Sequence, residues 1–276
     1  VTEPGVTSGG GPARPVRILA HRGLARDGDE NTLAAFRAAR EAGATWIETD
    51  VNTTADGEVL TLHDPDLSRV AGVAGVVGQM DSADVDAVRL RHGERIPTVG
   101  AALREFPDAR FNIDVKDEGS VAALPREILA AGAADRVLVT SFSESRRRRA
   151  LSKLPRGVSS SAGYGGIAVF KALSLCIPAR LCSLVWPVIA RTIRPWIAEF
   201  GAMQVPEAHR VGPVTVRVVS RRFLDAAHRC GLRVDVWTVD DPRDMSRLVD
   251  LGVDGIVTNR ADVAVSVLRD RGIAQG

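Results

Sequence analysis

The chain has 276 residues, 45% of them hydrophobic, with 36 Lys and Arg against 34 Asp and Glu. That length buries a full core and suits a single α/β barrel of about 250 residues, while a net charge of +2 leaves no overall nucleic-acid footprint. Three cysteines, Cys176, Cys182 and Cys230, are odd in number and lack metal-like spacing, which argues against a disulfide framework and for free thiols in a reducing, cytoplasmic setting.

Residues 1–15 are rich in Gly, Pro and small polar side chains, without the apolar stretch of a signal peptide. They read as a disordered tail before a domain over 16–276. Val16 to Ala20 is the first strand-like run and ends on His21-Arg22-Gly23. Asn31 to Ala42 has helical spacing and stops at Gly43. Thr45 to Val51 is a second strand, Thr54-Ala55-Asp56-Gly57 a turn, and Glu58 to Leu62 a returning strand that ends on His63-Asp64. Residues 65–97 are long for a strand-to-helix connection and read as a small insertion on the active-site face. Thr98 to Phe106 is helical and Phe111 to Val115 a strand. Helix follows at 121–131, strand at 137–140, helix at 144–151. After a less readable stretch come helix 220–230, strand 233–236, helix 242–251, strand 255–257 and helix 261–269.

Such alternation predicts a parallel sheet, and about eight strand candidates without a dinucleotide glycine fingerprint predict an α/β fold of the (β/α)8 TIM-barrel type. The segment 164–195 is strongly apolar, but Lys171, Arg180, Pro178 and Pro187 cut it well short of the roughly 20 residues of a spanning helix. It reads either as a lid or wall in peripheral contact with membrane, its cations facing headgroups, or as short helices closing the barrel mouth or forming a homo-oligomer contact. Arg146 to Arg149 reads as a solvated helix face rather than a nucleic-acid site, since no aromatics interleave it.

Polar clusters recur at the ends of these strands, and parallel strands make them converge. Glu48 and Asp50 are two apart and share a face. Inward carboxylates are costly without compensation, which a hard divalent cation or a salt bridge with Arg22 or Lys116 supplies; Asp114 is the third candidate ligand. His21 and His63 suit general base and general acid. Arg22 and Lys116 read as phosphate clamps, as charge balance for the carboxylates, or as both. Asn31 reads first as a helix cap, and is kept among the phosphate-binding candidates because the helix N-terminus faces the same end of the barrel.

Together, Ala20-His21-Arg22-Gly23, Glu30-Asn31-Thr32, Glu48-x-Asp50, His63-Asp64, Asn112-Ile113-Asp114-Val115-Lys116, Val236-Trp237-Thr238-Val239 and Asp254-Gly255-Ile256-Val257-Thr258-Asn259 resemble the glycerophosphodiester phosphodiesterases over residues 16–270. The resemblance implies a TIM barrel with an insertion after the second strand. It implies one Mg2+ or Ca2+ on Glu48, Asp50 and Asp114, with His21 and His63 as the acid–base pair. It also implies hydrolysis of a small phosphodiester to glycerol 3-phosphate and an alcohol, with a neighbouring substrate hydroxyl able to close a cyclic phosphate that water opens. Trp237 is a wall for the glycerol or leaving group, or a core tryptophan. The chain departs from the family pattern at Asp29, where Pro is usual, and at Asp114, where Glu is usual. Two other readings stand beside this one. A lysophospholipase D or sphingomyelinase D-like enzyme would use the same groups on lipid substrates. A binding barrel without chemistry should have lost a histidine or a ligand, and here every position holds a competent residue type.

Overall fold

The computed structural model describes residues 15–211 and 214–276; the tail expected over 1–15 lies, apart from Pro15, outside them. In chain order the elements are β1 (Arg17–His21), α1 (Leu33–Glu41), β2 (Trp46–Thr53), β3 (Val59–Thr61), α2 (Ser68–Ala71), a 3-10 turn (Val77–Gln79), α3 (Ser82–Ala87), α4 (Val99–Glu105), β4 (Arg110–Val115), α5 (Ser120–Ala130), β5 (Val137–Thr140) and α6 (Glu144–Leu151). They continue with β6 (Ser159–Ser160), α7 (Tyr164–Cys176), α8 (Ala179–Ile193), β7 (Ala202–Pro206), a hairpin of β8 (Ala208–Val211) and β9 (Val214–Arg217), α9 (Arg221–Arg229), β10 (Arg233–Trp237), α10 (Pro242–Leu251), β11 (Gly255–Thr258) and α11 (Ala261–Asp270).

Several helices start on a side-chain cap. Thr32, Thr98, Ser143, Ser220 and Asp241 accept backbone N–H groups at α1, α4, α6, α9 and α10. The helix after β1 is therefore capped by Thr32, through a 3.1 Å bond from Ala35 N, and not by Asn31. Asn31 has a left-handed backbone, φ 57°, and its side chain is left free to turn inward.

Eight parallel strands run in the order β6-β5-β4-β2-β1-β11-β10-β7, and a parallel bridge between Ser161 and Ala202 joins the two ends. This is the expected TIM barrel. Strand β3 pairs antiparallel with β2 outside the ring. Register sets His21 beside Glu48, Glu48 beside Asn112 and Asp50 beside Asp114. The period of two then stacks inward side chains in layers. Arg17 and Asp235 form the floor; Leu19, Trp46, Leu138, Ala202 and Val257 pack above it; the polar groups lie at the top.

Most of the apolar core lies between sheet and helices, in one half around Ile18, Phe170, Phe223 and Val234 and in the other around Phe36, Ile47, Phe111 and Ile113. Full burial of each such side chain contributes about 1.5–3 kcal/mol. The elements between β3 and α4 have their own small core, which includes Leu62, Leu67, Val77 and Leu90. The apolar segment folds as α7 and α8, with Phe170 packed edge-on to Trp186 at 5.0 Å and to Phe223 at 5.9 Å. Among the described residues no helix is long and apolar enough to cross a membrane.

The arginine run on α6 is not the uniformly solvated face its sequence suggests. Arg147 is wholly buried, where it donates to Glu144, to Ser160 Oγ and to the carbonyls of Ala198 and Glu199. One turn of α6 points at the chain that enters β7, so that arginine serves as a structural clamp. Arg149 pairs with Glu118 on the surface.

Candidate active site at the barrel mouth

A cavity of about 340 Å³ opens at the carboxyl ends of the strands, lined by His21, Arg22, Glu48, Asp50, His63, Asn112, Asp114, Lys116, Gln204 and Trp237. Every expected site residue except Asn31 lines it. The chain leaves β1 at His21 and turns through Arg22, φ 56°, and Gly23, φ 84°. A side chain at Gly23 would meet the Ala35 backbone at 2.7 Å, so only glycine lets α1 pack this close. Non-glycine residues with positive φ, here Arg22 and Asn31, are uncommon and concentrate at functional sites.

Two cations stand among three carboxylates. Lys116 Nζ lies 2.8 Å from Asp50 Oδ1 and 2.6 Å from Asp114 Oδ2, and Arg22 Nε lies 3.2 Å from Asp50 Oδ2. Burial works against the Asp50 charge, but Lys116 and Arg22 outweigh it and hold this carboxyl below its usual range. Glu48 forms no ion pair with a Lys or Arg side chain among the described residues; it accepts from the Arg22 backbone N–H at 3.1 Å, and Arg22 offsets its burial only in part. Burial, with Asp50 and Asp114 close by, pushes its pKa well up. Burial also raises Asp114, against the pull of Lys116. Burial works against the Lys116 ammonium as well, yet Asp114 and Asp50 push its pKa up to about 12. Asn31 sits below this group. Its Oδ1 accepts from Thr49 Oγ1 at 2.7 Å and its Nδ2 faces Asp50 Oδ2 at 3.5 Å, so it braces Asp50 rather than facing the cavity.

Each histidine is held through Nδ1. His21 Nδ1 is 2.7 Å from Asn259 Oδ1, and Asn259 in turn donates its Nδ2 and backbone N to Asp240 at 2.8 Å. That orients the Asn259 oxygen toward the ring, so Nδ1 carries the proton and Nε2 looks into the site, 3.9 Å from Glu48 Oε2. Burial lowers the His21 pKa, with the Asn259 bond opposing it. His63 Nδ1 is 2.6 Å from Asp64 Oδ1, and Arg69 of the insertion bonds the other oxygen of Asp64. Asn52, two residues beyond Asp50 on β2, donates to the carbonyls of Leu62 and His63 and fixes that turn.

The chain matches the model of the glycerophosphoryl diester phosphodiesterase family over residues 21–162 and 188–263. A Mycobacterium tuberculosis protein described as "Probable glycerophosphodiester phosphodiesterase 2" is 38% identical over 92% of this chain and 91% of its own length. The chain belongs to this family. Its activity is that of a phosphodiesterase. A solved structure from Silicibacter pomeroyi superposes with a TM-score of 0.75 at 22% identity, covering 96% of this chain and 97% of the other. A phosphodiesterase from Oleispira antarctica does so at 0.71 and 19% identity, covering 93% and 97%; that structure holds its product, sn-glycerol-3-phosphate. At these identities the two structures show a shared fold.

Asp29 accepts from the backbone N–H of His92 at 3.0 Å and faces His92 Nδ1 at 3.0 Å, so it ties the loop after β1 to the end of the insertion. Trp237 is half-buried; it lines the cavity and also packs on the interior apolar layer. Several residues of the site escaped the sequence reading. Asn112 carried a usable signal, since it is two residues before Asp114 on the same strand. Gln204, Phe142, Tyr164 and Asp240 carried none, because only the placement of β5, β6, β7 and β10 brings them in.

The donor set suits a hard cation. Three carboxylates outnumber two cations, and the buried oxygens Asp114 Oδ1 and Asn112 Oδ1 have no hydrogen-bond partner among the described residues. As the side chains stand among the described residues, Lys116 and Arg22 take the ligand oxygens, and no group of three His, Cys, Asp or Glu is arranged to hold an ion.

Proposed function

We propose that this phosphodiesterase hydrolyses glycerophosphodiesters to glycerol 3-phosphate and an alcohol, with a divalent cation, Mg2+ or Ca2+, held by Glu48, Asp50 and Asp114. The observation that carries this reading is one cavity that unites two histidines, each fixed at Nδ1, with an acidic centre left short of positive charge. The product in the Oleispira structure is consistent with it. When bound, the cation draws charge from a phosphoryl oxygen and stabilises the developing negative charge.

Arg22 and Lys116 reach the phosphate, the first as a two-pronged donor and the second as a point charge. His21, with its proton on Nδ1, offers the Nε2 lone pair and removes the proton of the attacking hydroxyl. That oxygen bonds to phosphorus as the bond to the leaving alcohol breaks. His63, held at Nδ1 by Asp64, donates the proton to the leaving oxygen. Where the attacking hydroxyl belongs to the glycerol, a water molecule then opens the cyclic phosphate, and the two histidines exchange roles. Trp237 and Phe142 form the apolar wall beside the leaving group.

The test is phosphate-ester hydrolysis on glycerophosphocholine, glycerophosphoethanolamine, glycerophosphoglycerol and lysophosphatidylcholine, each with EDTA, Mg2+ or Ca2+. Glycerol phosphate released from the small diesters only with metal is the expected result. Turnover undiminished in EDTA would remove the cation from the mechanism, and turnover of the lyso-lipid alone would replace the substrate class.

A further inference from the structure

The stretches that match the family model stop at 162 and resume at 188, and α7 with the first half of α8 fills the interval. The outward stripe of α7 is Tyr164, Ala168, Ala172, Leu175 and Cys176, all exposed and none charged. On α8 the exposed stripe is Leu181, Leu184 and Val188, with Leu184 72% and Val188 67% accessible; Arg180 and Arg191 flank it at the same helical spacing. Trp196, just beyond α8, is 70% accessible. The opposite faces, through Phe170, Leu173, Cys182 and Trp186, already anchor both helices in the core. The fold gains nothing from apolar groups on the outside, where a helix in water carries polar ones.

Charge identifies the occupant. Residues 164–198 contain Lys171, Arg180, Arg191 and Arg194 and no Asp or Glu. Lys171 turns inward, donating to the Val218 carbonyl at 2.8 Å above the Phe223 ring. The three arginines have no carboxylate partner among the described residues. We propose that the outward face of α7 and α8 docks on an anionic lipid bilayer, with its apolar residues among the acyl chains and its arginines on the phosphates. A second copy is the poorer occupant, because two such faces would set uncompensated arginines against each other.

The docking face is continuous with the catalytic cavity. Tyr164, the first residue of α7, lines the cavity and stacks on Phe142 at 4.8 Å; Phe142 meets Trp237 at 6.1 Å. An aromatic ramp thus runs from the site to the lipid surface. Resting on the hydrolase reading above, docking delivers the mouth to glycerophosphodiesters that carry an acyl chain.

The test is co-sedimentation of the full chain with vesicles of phosphatidylglycerol and phosphatidylcholine, against phosphatidylcholine alone. Binding to the anionic vesicles, weakened by salt, is expected. Leu184→Glu with Val188→Glu should weaken it about tenfold or more, as the loss of two buried apolar side chains requires. Replacing Arg180, Arg191 and Arg194 by Ser should abolish the preference for anionic lipid. Both variants should keep the thermal midpoint and the turnover of a soluble diester. Wild-type protein left in the supernatant overturns the proposal, as do variants that bind equally well. A wild-type dimer that Leu184→Glu converts to a monomer overturns it in favour of a second copy. Vesicle binding without any hydrolysis supports the docking face while refuting the catalytic roles.

Discussion

The two ends of the barrel both bury charge, and they do so differently. At the floor, Arg17 Nη2 donates to both oxygens of Asp235 at 2.8 Å, while its guanidinium lies 5.1 Å from the Trp46 ring; one cation meets one anion. At the mouth, three carboxylates lie beside two cations, one acid is forced toward its neutral form, and two buried oxygens have no hydrogen-bond partner among the described residues. A closed ion pair serves the fold. An unbalanced cluster costs stability, and is tolerated because ligands complete it.

The largest test of this contrast is at the histidines. His21→Ala or His63→Ala should lower turnover by about 10²–10⁴-fold with the thermal midpoint nearly unchanged; a fall in stability that matched the loss of activity would place these residues in the scaffold. At the floor the pattern should invert. Asp235→Asn leaves Arg17 buried without its anion and should cost about 3–5 kcal/mol in denaturant unfolding, with activity per folded molecule preserved. A smaller loss, about 1–3 kcal/mol, is expected for Gly255→Ala, whose Cβ would collide with the Asp235 carboxylate.

The smallest effect is also the most specific to the mouth. A carboxyl whose folded pKa lies above its unfolded value adds no cost below about pH 4.5, where it is protonated in both states. Its cost grows as pH rises toward the folded pKa, and is fully present above it. In EDTA, then, Glu48→Gln should unfold at a slightly higher temperature than wild type near pH 8, and the gap should close as pH falls toward 4.5. Adding Mg2+ or Ca2+ should raise the midpoint of the wild type and leave that of the variant behind. A variant less stable than wild type at every pH would show that Glu48 supports the fold.

Much of the site was legible because it is local. Glu48 and Asp50 share a face by strand periodicity alone, and His21 and His63 end apolar runs whose boundaries fell within a residue or two of the observed strands. Asn31 reads as the cap because both it and Thr32 can cap and Asn is the more favoured of the two, whereas the left-handed backbone at Asn31 gives the role to Thr32. Arg147 was misread for a similar reason. A run of four arginines looks uniform until the helix is rotated against its neighbours.

The alternation of strand and helix, the inward positions of each strand, and the residue types available for chemistry could all be read along the chain. These depend on spacing along one stretch of chain. The closed barrel alone shows that Asn259 and Asp240 orient His21, that Phe142 and Tyr164 continue the aromatic surface from Trp237, and which faces of the two helices of 164–195 lie in the core and which outside. Such contacts join residues far apart in the chain, and they follow from the order and register in which the strands close the barrel, quantities that no single segment encodes.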